Sequence, residues 1–136
     1  MADLSITAAN VLYASGEKSA GTAGASVTAG QALYLDSATG TLKLAQCDGT
    51  AAEADVKGIA LNSAGTGQPV VYAVNGSAIN IGATTSKATV YVLSATAGGV
   101  APLADLASGN KIVHLGYATA TDGSFVVKLT NTGASV

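Results

Sequence analysis

VVYAVNGSAINIG, residues 70–82, places β-branched and aromatic residues on both sides of a single Asn-Gly pair. Val, Ile and Tyr suit the pleated, half-buried surface of a strand, and Asn-Gly is the pair preferred in a two-residue type I′ turn, whose central positions both need positive φ. The expectation is a β-hairpin with Val70–Val74 as one strand, Ser77–Ile81 as the other and Asn75-Gly76 between them. Ile79 and Ile81 fall on one face, as a strand period of two requires.

Working outward, the same grammar recurs. Turn-forming clusters (SGEKSAGTAG, DSATG, CDGT, NSAGTGQP, TAGG, SGN, TDG) interrupt the chain roughly every eight to twelve residues, the spacing of an all-β sandwich or barrel. QALYLD (31–36) and TLKLAQ (41–46) flank SATG, a loop of hairpin length in which Gly40 can take positive φ. Leu33 and Leu35 share one face of the first strand, Leu42 and Leu44 one face of the second. ATVYVLS (88–94), KIVHLGYA (111–118) and SFVVKLT (124–130) supply three more strands, with Asp122-Gly123 turning the last two against each other. APLADLASGN (101–110) breaks the pattern: Pro102 suits a helix start, Gly109 a stop, and Leu103 and Leu106 are three apart. Residues 14–25, rich in Gly, Ser, Ala and Thr, read as a flexible loop. The expected fold is therefore all-β, a compact and mainly antiparallel β-barrel or sandwich with one short helix near residues 102–108. Residues 1–13 form an N-terminal strand or arm, and residues 14–136 a single β domain.

Composition narrows the function. Hydrophobic residues make up 49% of the 136, but Ala supplies much of that, and Phe, Trp and Met together number two, so the core is thin and partner subunits are expected to add stability. Charged residues are 10% of the chain, with net charge −2. Phosphate neutralisation needs clustered cations, and Lys18, Lys43, Lys57, Lys87, Lys111 and Lys128 are scattered singly, which argues against nucleic-acid binding. The longest apolar run, VVYAV, falls far short of the ~20 residues of a membrane span. The N-terminus lacks the basic and apolar regions of a signal peptide, so synthesis in the cytoplasm is expected. Cys47, the only cysteine, cannot make an intrachain disulfide and reads as inert.

Chemistry finds no constellation to work with. His114, the only histidine, reads as a strand residue at a face or interface, because a general base needs a nucleophile and an orienting partner. DGTAAEAD (48–55) lacks the spacing of a calcium loop, and its acids read as solvated loop charges. GTAGAS and AGTGQP lack the Lys-Ser/Thr ending of a phosphate loop, and the nucleophile elbow G-x-S-x-G does not occur. Asn75-Gly76-Ser77 matches a glycosylation acceptor, but the turn explains the same residues. Tyr13, Tyr34, Tyr72, Tyr91 and Tyr117 read as core-edge or interface residues rather than a sugar-stacking platform. No catalytic, cofactor-binding or metal-binding residues are expected, and the protein is not expected to be an enzyme.

The ordered motifs of the chain resemble the small head-decoration, or capsid cement, proteins of tailed bacteriophages. The V-x-x-G-Q-A-x-Y-x-D strand, here Val27 to Asp36, leads to a short hairpin, then to G-I-A-L (58–61) and G-Q-P-V (67–70). VYVLSATAGGVAPLADLASGNKIVHLGYATA is similar to the family's second half, with a short helical crossover before a strand containing H-L-G. The resemblance spans nearly the whole chain. It implies a β-barrel-like protein on the outer surface of a virion, assembled as a homo-oligomer, a trimer in preference to a dimer. It also implies that the major capsid protein of a phage shell is the partner, reinforced at capsomer junctions without cofactor or catalytic residue. Residues 1–13 would then serve either as an arm adding a strand to a neighbour or as an ordinary first strand. The alternative is a carbohydrate-binding or adhesive β module, which would gather tyrosines beside loop acids on one exposed face.

Overall fold

The computed structural model describes residues 3–136. Eleven strands are assigned among them: β1 (Val11–Ser15), β2 (Lys18–Thr22), β3 (Ala32–Asp36), β4 (Thr41–Leu44), β5 (Val56–Ala60), β6 (Pro69–Ala73), β7 (Ala78–Ile81), β8 (Val90–Leu93), β9 (Val100–Pro102), β10 (Lys111–Ala118) and β11 (Ser124–Ser135). They make a six-stranded sheet in the order β1-β7-β11-β10-β8-β9 and a five-stranded sheet in the order β2-β6-β5-β3-β4. Every strand pairing is antiparallel. The all-β expectation holds, and of its two forms the sandwich is the one observed.

Alternation decides which side chains meet between the sheets. Ile79, Ile81, Tyr91, Leu93, Val113, Leu115, Phe125 and Val127 of the larger sheet pack against Ala32, Val56, Ile59 and Ala73 of the smaller one. The smaller sheet buries its other face as well: Leu33, Leu42, Ala60 and Val70 form a second cluster with Ala23, Val27 and Ala64 from the flanking loops. This sheet curls, so that Ala23, just past β2, makes a single parallel bridge to Leu42 of β4 at the far edge. Ten of the twenty-eight buried apolar residues among those described are alanine, so the core is thin in side-chain volume.

The Asn75-Gly76 turn is not a hairpin. β6 belongs to the five-stranded sheet and β7 to the six-stranded one, so residues 74–77 carry the chain from one sheet to the other. The turn has type II character: Ser77 N–H donates to Val74 O at 3.1 Å and Gly76 has φ +89°, whereas positive φ is absent at Asn75. The pair identity demanded a tight turn, but it carried no information about partners. β6 pairs with β2 and β5, while β7 pairs with β1 and β11. Among the described residues the chain crosses between sheets in one other place, Gly16-Glu17 between β1 and β2. The two crossings lie side by side: Val74 N–H donates to Glu17 O at 3.3 Å, and the Ser77 hydroxyl donates to the same carbonyl.

Two further expectations are corrected. Residues 14–25 are not a loop, because β2 forms a five-residue ladder with β6 from Lys18↔Ala73 to Thr22↔Pro69. Its side chains are exposed except at Gly21, so no apolar alternation marks it; a Cβ at Gly21 would come within 2.8 Å of Leu42 Cδ1. The short helix near 102–108 is a single 3-10 turn, Leu103–Asp105. Pro102 is taken up by β9, paired with Tyr91, and the chain is extended again at Leu106, which packs on the core. Proline is tolerated there because β9 is an edge strand.

The hairpins β3–β4 and β10–β11 match expectation, with Gly40 at φ +69° and Gly123 at φ +95°. Residues 3–10 run along the same subunit. Leu4 N–H donates to Val100 O at 2.8 Å and Thr7 N–H to Gly82 O at 2.8 Å, Ile6 packs on the core, and β1 pairs with β7. Residues 1 and 2 lie outside the described residues.

One exposed residue, Ala88, has φ +64°, the left-handed region that costs an L-residue roughly 1–2 kcal/mol. Against this stands the extra unfolded-state entropy of glycine, roughly 0.5–1 kcal/mol. Ala88→Gly is therefore expected to stabilise the protein slightly, by about 0.5 kcal/mol. A urea midpoint that falls would show the left-handed assignment to be wrong.

Candidate functional site

The candidate surface is the outer face of the larger, six-stranded sheet, and its composition follows from register. In β10, Val113, Leu115 and Ala118 point inward, so an irregularity must separate Leu115 from Ala118; it lies between His114 and Gly116, against both β11 and β8. Gly116 occupies it because a Cβ there would sit 2.0 Å from Val126 O and 2.7 Å from the Phe125 ring. The reset puts Tyr117 on the outside, opposite Val90 on one side and Val126 on the other. Val126 is in turn opposite Ala78 of β7. Val90 and Tyr117 are 42% and 40% exposed, enough to make this row apolar and open to solvent.

His114 is half-buried on the same face, opposite Val92 and Thr130. With Val90, Gly116, Tyr117, Lys128 and Thr130 it lines a shallow hollow of about 200 Å3. Lys128 and His114 are the ionisable side chains of this lining besides the Tyr117 hydroxyl. Leu12 and Tyr13 add exposed apolar surface on β1, at one edge of the sheet, where Lys18 stands 4.5 Å from the centre of the Tyr13 ring.

The other singled-out residues scatter. Cys47 is fully buried, its carbonyl accepting from Lys111 N–H at 2.9 Å, and burial pushes its thiol pKa up, away from the reactive thiolate. The loop after it is held by reciprocal bonds: Thr50 N–H to Glu53 Oε1 at 3.0 Å and Glu53 N–H to Thr50 Oγ1 at 3.3 Å. Lys111 Nζ reaches Gly49 O at 2.6 Å, and Lys57 pairs with Asp55 at 3.2 Å. Tyr91 is buried, Tyr34 and Tyr72 pack on opposite faces of the five-stranded sheet, and Tyr13 and Tyr117 lie on strands separated by β7 and β11. The structure thus does not gather the tyrosines into a platform. Ser77 of the Asn75-Gly76-Ser77 acceptor pattern is fully buried. Among the described residues no group of three or more His, Cys, Asp or Glu side chains is placed to share a metal, and no helix is long and apolar enough to cross a membrane.

Three carboxylates have pKa values lowered by hydrogen bonds. Lys43 Nζ at 2.7 Å does this for Asp36, the Thr50 backbone and hydroxyl for Glu53, and the Ser124 hydroxyl and N–H for Asp122. A folded-state pKa below the unfolded one gives stability that is present above the unfolded value and lost as pH falls through the folded one. Stability is expected to be level with respect to these groups from neutrality to about pH 5, then to fall below about pH 4. Asp36→Asn should flatten part of that fall in urea midpoints taken across the window; an identical profile in the variant would contradict the assignment.

No family model matches the chain, and no curated protein matches it.

Proposed function

We propose that this chain is a structural virion protein, a decoration protein that binds the outside of a phage capsid as a homo-oligomer and reinforces the junctions between capsomers. The observation that carries the reading is the ordered series of motifs. Val27 to Asp36 runs into β3, Gly58 to Leu61 covers the end of β5, and Gly67 to Val70 opens β6, three neighbouring strands of one sheet. The second half of the series runs from β8 to β10 in the other sheet. It departs from the family pattern where a 3-10 turn stands in place of a short helix.

The physics of the surface supports the same reading. The row Val90, Tyr117, Val126 and Ala78 carries no charge, so covering it requires little desolvation of polar groups. A thin core gains from burial at subunit contacts. Reinforcement needs no catalytic group, because a ligand that binds the assembled shell better than its separated subunits shifts the equilibrium toward assembly.

Co-sedimentation with undecorated heads of the phage that carries this chain tests the proposal. Saturable binding is expected, retained at moderate salt because scattered charges offer little charge-dominated attachment. A monomer that does not sediment with heads, and that is retained by a glycan array instead, would replace this reading with the adhesive module.

A further inference from the structure

Asn75-Gly76 is the only Asn-Gly pair in the sequence. Chemically it is the dipeptide most open to loss of the asparagine amide, because glycine places no side chain in the way of its own nitrogen. The Gly76 nitrogen loses its proton to base and attacks Asn75 Cγ. The N–Cγ bond forms, the Cγ–Nδ2 bond breaks and ammonia leaves. Water then opens the resulting succinimide at either carbonyl, leaving aspartate or isoaspartate at 75. The base returns its proton to the departing nitrogen, so water is the one reactant consumed.

In the folded chain both reacting groups are held by the same strand. Gly76 N–H donates to Val127 O at 2.9 Å, which ties up the proton that must leave. Asn75 Oδ1 accepts from Leu129 N–H, two residues further along β11. Val127 N–H donates back to Ser77 O at 2.8 Å, and Ser77 N–H closes the turn on Val74 O. Both residues are nevertheless exposed, so water and base reach them, and a Cβ at Gly76 would meet nothing within 4 Å. What restrains the reaction is hydrogen bonding to β11.

We propose that Asn75 is a deamidation site that the native fold holds shut, so that loss of its amide records separation of this corner from β11. The isoaspartyl product also makes the separation permanent. It adds a backbone methylene between Val74 and Ser77, and the bonds Gly76 N–H to Val127 O and Ser77 N–H to Val74 O then no longer fit one turn. The aspartyl product keeps the backbone length and an acceptor for Leu129 N–H.

The test follows deamidation at Asn75 by peptide mass spectrometry in mildly alkaline buffer, for the intact folded protein and for the same protein in concentrated urea. A locally closed site reacts in proportion to its open fraction, so the folded protein should lose the Asn75 amide at least about tenfold more slowly. In urea Asn75 should react before Asn62 and Asn131. Equal rates at Asn75 in the two states would overturn the proposal. Chains aged in urea are then separated into aspartyl and isoaspartyl forms and returned to native buffer. The isoaspartyl form should melt well below the unmodified protein and the aspartyl form close to it; equal melting of the two forms would overturn the claim that the change is permanent.

Discussion

Gly16→Ala is expected to destabilise the protein by roughly 2–5 kcal/mol, combining roughly 1–2 for a left-handed L-residue with 1–3 for overpacking. Gly16 has φ +102°, and an added Cβ would lie 2.6 Å from Ser77 Cα and 2.7 Å from Gly76 O, both backbone atoms that cannot rotate away. The clash falls where the two sheet crossings touch, so its relief requires parting β1 from β7 or β2 from β6. Gly76→Ala provides the control: φ is +89° but nothing lies within 4 Å of the new atom, leaving the conformational cost of about 1–2 kcal/mol alone. Urea denaturation of the two variants separates the contributions. Equal losses would mean that the crossings do not pack against each other.

Phe125→Ala is expected to cost about 3–5 kcal/mol, the range for emptying a large aromatic site in a packed core. Phe125 is the chain's only phenylalanine and is 1% exposed. It stands 6.1 Å from Tyr91, ring centre to ring centre and tilted by 47°, and its ring fills the space that Gly116 leaves without a side chain. Tyr91→Phe keeps the ring and forfeits only the bond from Ser86 N–H at 3.0 Å, so about 0.5–1.5 kcal/mol is expected there. A Phe125→Ala loss as small as that of Tyr91→Phe would place the core elsewhere.

Local signals in the sequence were legible where the physics is local. KIVHLGYA coincides with β10, because a run rich in Ile, Val, Leu and Tyr that begins directly after Gly109-Asn110 leaves a strand little choice of where to start. SATG and Asp122-Gly123 close hairpins, since their strands pair with each other across the loop. Asn75-Gly76 has the same turn chemistry and a different outcome, since β6 and β7 each find their partners elsewhere, as far away in sequence as Val11 is from Ile81. β2 was illegible for another reason: an exposed edge strand of Lys, Ser, Ala, Gly and Thr is specified by backbone pairing to β6, not by side-chain burial. Pro102 reads as a helix start and Gly109 as a stop, but pairing of Pro102 with Tyr91 in β9 leaves room for only one 3-10 turn between them.

The candidate surface was less legible still. Val90, Tyr117 and Val126 become one row only through the irregularity at Gly116, which moves Tyr117 to the outside. A period-two reading of KIVHLGYA puts Tyr117 on the same side as Val113 and Leu115, which are buried. His114 was read as a residue at a face, and it lies half-buried on the outer face of the larger sheet.

The central claim is that the protein is a cement, and heating phage heads tests it most directly. Undecorated heads, heads with added protein, and heads with the protein carrying Tyr117→Asp are warmed at low and at high ionic strength, and the temperature of shell disruption is read by light scattering. The account predicts that the protein raises that temperature at both ionic strengths, and that a charge in the apolar row weakens the effect without unfolding the protein. Equal disruption temperatures with and without the protein would contradict it.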